Sequence, residues 1–146
     1  WWRWGAASPA ARPVLLGLYA DPAHWDVIEG QGSLSHPAYA GVSLALLHGS
    51  QPDVVVVCHA HGRERVLGHP HYLLPSLEET IDLALRLGAR TNPAIRCAGV
   101  SLNTAGMEVA EAQRAMGEIA ARPGLPVADP IRGGEAFARL VDSCLA

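Results

Sequence analysis

The chain has no lysine: all eleven of its basic residues are arginine. That excludes chemistry needing a side-chain amine, such as a Schiff base or the lysine with which a phosphate loop reaches a nucleotide. The Walker pattern G-x-x-x-x-G-K-[ST] is absent as well. A bias towards arginine and alanine codons accounts for this composition, and a guanidinium still clamps carboxylates and phosphates in bidentate fashion. Charge is sparse, at 17% of residues against 49% hydrophobic, which excludes a disordered chain. The formal net charge of −3 argues against nucleic acid or an anionic membrane as a general partner. Cysteine is scarce, and Cys58, Cys97 and Cys144 stand far apart. They read as reduced core residues of a cytoplasmic protein, since an odd, scattered set makes neither a disulfide framework nor a zinc site. No apolar run reaches the ~18 residues of a membrane span.

What is present suits one α/β domain, 146 residues being ample for a core. Trp1, Trp2 and Trp4 with the Ala- and Pro-rich stretch behind them fit no regular element. Residues 1–20 read as an irregular or truncated leader, and the chain from 21 to 146 as part of a longer parent protein. Strands are expected at Val14–Tyr19, Trp25–Glu29, Asp53–Cys58, Ile95–Leu102 and Leu125–Ala128. Helices are expected at Pro37–Leu47, from Ser76 to Gly88, at Glu108–Ala121 and at Gly134–Leu145. Ser76 and Glu79 have the spacing of a capping box. Residues 59–75 read as a long polar loop. The runs Val54–Val57 and Ile95–Val100 are continuously apolar, the mark of central strands buried on both faces. Alternating strands and helices imply a mainly parallel sheet with helices packed on it.

Ligands of such sheets bind beyond the carboxyl ends of the strands. Four strand-end segments therefore hold the candidates. In the first, Gly30 and Gly32 flank Gln31, letting the backbone turn and point amides at a ligand. Glu29 beside them suits proton transfer or Mg²⁺, with Ser33 and His36 as further contacts. In the second, four histidines fall between His59 and His71. Their i,i+2 pairs, His59/His61 and His69/His71, complete no familiar zinc set. His59 and Arg63 are expected to face a ligand, and the other three to be solvated. The third is Asn103-Thr104, where asparagine serves either a ligand or plain turn chemistry. In the fourth, Arg132 is either an anion clamp or a surface arginine.

Three blocks carry a resemblance: 25–34 (WDVIEGQGSL), His36-Pro37-Ala38-Tyr39, and 47–53 (LHGSQPD). Together with 74–78 (LPSLE), Thr91-Asn92-Pro93 and Ser101-Leu102-Asn103-Thr104, they resemble the C-terminal domain of the D-glutamate N-acetyltransferase-like family, long catalogued only as an uncharacterised P-loop-type domain. The resemblance covers roughly residues 20–133. It implies a P-loop NTPase-like, dethiobiotin synthetase-like three-layer sandwich with helices on both faces. It also implies acetyl transfer from acetyl-CoA to the amino group of D-glutamate or a related amino acid. Glu29-Gly30-Gln31-Gly32 is similar to the dethiobiotin synthetase strand end that holds Mg²⁺ and ATP, which would put Asn103 on the nucleotide side. The chain departs from the family at Ala60, where an acidic residue is usual, and at His61, His69 and His71.

On this resemblance Glu29 or His59 is the base, the Gly30 and Gly32 amides are oxyanion or phosphate donors, and Arg63 or Arg132 binds the substrate carboxylate. A homo-oligomer acting on a small molecule is expected, with acetyl-CoA as co-substrate and ATP with Mg²⁺ as a further candidate. The alternatives are an ATP-dependent ligase or kinase-like enzyme on the same fold, and a non-catalytic fragment. Without a phosphate loop, this stretch alone is expected to be inactive.

Overall fold

The computed structural model describes residues 25–29 and 33–146. The leader, the expected strand Val14–Tyr19 and the segment Gly30-Gln31-Gly32 lie outside the described residues. In chain order the elements are α1 (Ala40–Ser50), β1 (Val54–Ala60), β2 (Arg65–Val66), β3 (His69–Leu73), α2 (Leu77–Gly88), β4 (Arg96–Asn103), α3 (Val109–Ala121), β5 (Val127–Ala128) and α4 (Gly134–Leu145). They fall into two compact units, one comprising described residues up to Asp53 with Leu83–Ile95, the other Val54–Asp82 with Arg96–Ala146.

The second unit contains a parallel sheet in the order β1-β4-β5. Strand β4 sits at its centre, and Ala98, Val100 and Leu102 are fully buried. Val100 and Leu102 pack with Val57, Val127, Leu77 of α2 and Ile119 of α3. Burial of each large side chain contributes about 1.5–3 kcal/mol. Side chains alternate along a strand, so Gly99 lies on the other face from Val100. A Cβ there would run into Leu140 of α4 and the carbonyl oxygen of Pro126. Helices therefore lie on both faces, α2 and α3 on one and α4 on the other. The pairing steps from Val55↔Cys97 to Val56↔Gly99, which leaves Ala98 as an extra residue in β4. Arg96 donates to the carbonyls of Ser143 (2.7 Å) and Cys144 (2.9 Å), satisfying groups that the end of α4 leaves open.

Three expectations need correction. Strand β1 is neither central nor buried on both faces: among the described residues it pairs on one side only, and Val57 is buried whereas Val56 and Cys58 are exposed. Residues 59–75 are not all loop, since β2 and β3 form an antiparallel hairpin. Its turn rests on Gly68 at φ 76, a backbone conformation costly for residues with a Cβ. Third, Trp25–Glu29 is neither strand nor helix and is exposed throughout, so Glu29 does not end a buried strand.

The first unit is held by Asn92, a buried side chain. Its amide donates to the carbonyls of Gln51 (3.3 Å) and Pro52 (3.1 Å) and to Asp53 Oδ1 (2.8 Å), while its oxygen accepts the Ala94 N–H (3.1 Å). His48 Nε2 lies 2.9 Å from the Leu87 carbonyl oxygen. Helix α1 ends where Gln51 takes the left-handed φ of 49, its N–H bonded to Leu47 O. The capping box of α2 forms as expected: the Ser76 N–H donates to Glu79 Oε2 (2.7 Å) and the Glu79 N–H to Ser76 Oγ (3.2 Å).

Candidate functional site

Strands β1, β4 and β5 run parallel, so the loops leaving their carboxyl ends are neighbours. The His61 N–H donates to the Asn103 carbonyl (3.1 Å), tying the first two loops together. Two grooves open here within the second unit. A strand-end groove of about 520 Å³ is lined by Cys58, His59, Arg63, Asn103, Asp129 and Ile131 among others. A lateral groove of about 420 Å³ lies against α2 and α3, with His59, His61, Arg63, Ser76, Glu118 and Arg122 in its wall. His59 and Arg63 line both.

His59 is half-buried, and burial first, then the positive fields of His61, Arg122 and Arg63, hold its imidazole below its ordinary pKa; Glu78 opposes them. A neutral imidazole at neutral pH is ready to accept a proton. Arg63 is exposed, and its guanidinium has no partner among the described residues. Arg122, by contrast, is matched with Glu78 through two contacts of 2.9 and 3.0 Å, the fork geometry of a carboxylate pair. Asn103 Oδ1 accepts the Ala105 N–H (2.9 Å), the turn chemistry foreseen for it, while its amide NH₂ has no partner among the described residues.

Behind the strand-end groove is a polar cluster centred on Asp129, only 5% exposed. Its Oδ2 accepts the Thr104 N–H (3.0 Å) and hydroxyl (2.5 Å), and its Oδ1 accepts the Ile131 N–H (2.9 Å). Burial alone would raise its pKa; the Thr104 and Ile131 bonds outweigh that and hold the carboxyl below its ordinary value. Arg132 donates from Nε to Thr104 Oγ1 (2.7 Å) and from Nη2 to the carbonyls of Thr104 (3.2 Å) and Met107 (2.5 Å). Thr104 and Arg132 were expected to touch a ligand. They are instead committed to this cluster, because a buried carboxylate and the carbonyls of a tight turn need donors and take those nearest. Of the two arginines considered as clamps, Arg63 is the open one.

The structure thus brings His59, Arg63 and Asn103 to one place. Glu29, Ser33 and His36 belong to the other unit. Ser33 Oγ lies 3.1 Å from Ser35 Oγ. His36 Nδ1 accepts the N–H groups of Ala38 (3.1 Å) and Tyr39 (3.2 Å), and its ring rests 4.7 Å from that of Tyr39, so it builds the turn into α1. Among the described residues no group of three or more His, Cys, Asp or Glu is placed to hold a metal ion. Nor is any helix there long and apolar enough to cross a membrane. Sequence reasoning expected His61 to be solvated rather than to line a groove, and it missed Arg122 as a groove residue and Asp129 as the cluster's centre; Asp129 had a signal in its place directly after β5, Arg122 none.

Comparison with known proteins places this geometry in a family. A D-glutamate N-acetyltransferase from a Pseudoalteromonas species is 46% identical over 127 residues, covering 87% of this chain and 36% of the relative. Another of the same name, from Tritonibacter scottomollicae, is 47% identical over 126 residues, covering 86% and 37%. The chain therefore spans little more than a third of the curated relatives it matches. The crystal structure of a DUF1611 family protein from Anabaena variabilis is 33% identical, with a TM-score of 0.73 over 81% of this chain and 34% of that one. The model of the domain of unknown function DUF1611_C, a P-loop domain, matches residues 6–141. These matches bear out the resemblance read from the sequence: the chain belongs to the DUF1611 family, within its C-terminal P-loop domain.

Proposed function

We propose that this domain serves in acetyl transfer from acetyl-CoA to the amino group of D-glutamate or a related amino acid, with His59 as general base. The observation that carries the reading is the His59 imidazole, its pKa held down where two grooves meet beside the Arg63 guanidinium, which has no partner among the described residues. The curated relatives' shared name supports the reaction. The ammonium group of the acceptor first loses a proton to solvent. Its nitrogen then attacks the thioester carbonyl carbon, the N–C bond forms, and the C–S bond breaks. The remaining excess proton passes from nitrogen to His59 and from there to the departing thiolate, which leaves as free CoA thiol. The NH₂ of Asn103, which has no partner among the described residues, is the candidate donor to the developing oxyanion. Mg²⁺ binds through one or two carboxylates plus substrate phosphates. Glu29 is the carboxylate available if ATP is used, but thioester aminolysis requires neither, and no step here passes through them.

The test is a thiol-release assay of the full-length polypeptide with acetyl-CoA and a panel of D- and L-amino acids, the product identified by mass spectrometry. Formation of an N-acetyl D-amino acid is expected. Thiol release unaffected by any amino acid would sink the reading.

A further inference from the structure

Two grooves that share two residues pose the question of what occupies each. The lateral groove is lined by Arg63, which has no partner among the described residues, by His61, by Arg122, which is matched with Glu78, and by the Glu118 carboxylate. Such a mixture of separated charges suits a small zwitterion: carboxylate on guanidinium, ammonium towards glutamate. The strand-end groove is larger and, away from the shared pair, mostly uncharged. Its one carboxylate, Asp129, already accepts three hydrogen bonds from its own chain, so it offers a ligand little charge. Apolar Leu102, Ala105, Pro130 and Ile131, with the thiol of Cys58, suit the uncharged arm of a thioester.

Resting on the proposed acetyl transfer, we infer that the two substrates bind in separate grooves and meet at His59. The amino acid lies in the lateral groove with a carboxylate on Arg63, and the acetyl-thioester arm lies in the strand-end groove. Both occupants are then present together, and the acetyl group passes directly from sulfur to nitrogen as written above. Cys58 borders the donor without forming a bond to the acetyl group.

Cys58 reports on this partition because its thiol is exposed in the strand-end groove. Alkylation of the full-length protein, with Cys58 followed by peptide mass spectrometry, should be slowed at least several-fold by CoA and left unchanged by D-glutamate. In the acetyl-transfer assay, Arg63→Ala should raise KM for D-glutamate at least about tenfold and Arg63→Lys less, while KM for acetyl-CoA stays within about twofold. Because Arg63 is exposed and has no partner among the described residues, neither variant should alter folding. Initial rates of the wild-type protein, with both substrates varied, should give intersecting rather than parallel reciprocal plots. Protection of Cys58 by D-glutamate alone, protection by neither ligand, or an Arg63 effect confined to acetyl-CoA would overturn the partition while leaving acetyl transfer standing. So would an acetylated Cys58 formed during turnover. A wild-type protein that acetylates no amino acid removes the underlying reading, and the partition with it.

Discussion

Asp129 accepts three hydrogen bonds while almost completely buried, so its loss leaves donors in a dry site. Asp129→Ala should cost about 1–3 kcal/mol, the usual penalty for orphaned buried donors, read as a lower urea midpoint at neutral pH. Its pH dependence has a definite sign. The folded pKa lies below the unfolded one, so on acidification the unfolded chain takes up the proton first. The stabilisation is complete above the ordinary carboxylate range near ~4 and is lost as pH falls through the lower folded value. Asp129→Asn should flatten that part of the stability profile; an unchanged profile would show that Asp129 is not the group responsible. His59 makes the corresponding prediction for activity. Deprotonation of the acceptor ammonium already makes kcat/KM fall as pH drops, and with the His59 pKa held below the usual value of about 6.5, that fall should steepen by a second proton only below that pH. At this scale the sequence pointed to loops that the fold does bring together, but it did not show what two of their side chains bond to. Thr104 and Arg132 follow strand ends as ligand residues do, and nothing in the string of letters reveals that a buried carboxylate claims them both.

At the scale of elements, β4 is the strand on which the arrangement depends. It is paired on both edges and covered on both faces, and its Gly99 gives the carbonyl of Pro126 room to approach, the Val100 N–H bonding that oxygen at 2.9 Å. Gly99→Ala must push back a backbone oxygen and Leu140 together, and should destabilise by at least about 1–3 kcal/mol. A denaturation midpoint equal to that of the wild type would show that β4 and β5 tolerate being spread. The helices α2, α3 and α4 were legible because glycine or proline breaks and apolar spacing agree along each one, and in α2 a capping box as well. The start of α1 was placed too early: Pro37, Ala38 and Tyr39 form a turn pinned by His36. The β2–β3 hairpin escaped notice because histidine and proline dominate β3 and mask its pattern. Val54–Val57 announced a strand correctly, but a β-branched run does not say how many neighbours that strand has.

For the whole molecule, the parallel sheet and the family were legible, the first from alternating elements and the second from the long block Trp25–Asp53. The division into two units was not, since one of its three boundaries falls within α2, which gives no sign of a break. The central claim, that His59 is the base of an acetyl transfer, is tested most directly by one pair of variants. In the full-length polypeptide, His59→Ala should lower kcat for N-acetyl-D-glutamate formation at least about 100-fold, with the circular dichroism spectrum unchanged. Glu29→Gln, made alongside it, should stay within about tenfold of wild type. The reverse order, with Glu29→Gln inactive and His59→Ala turning over normally, would contradict the account and move the base to Glu29.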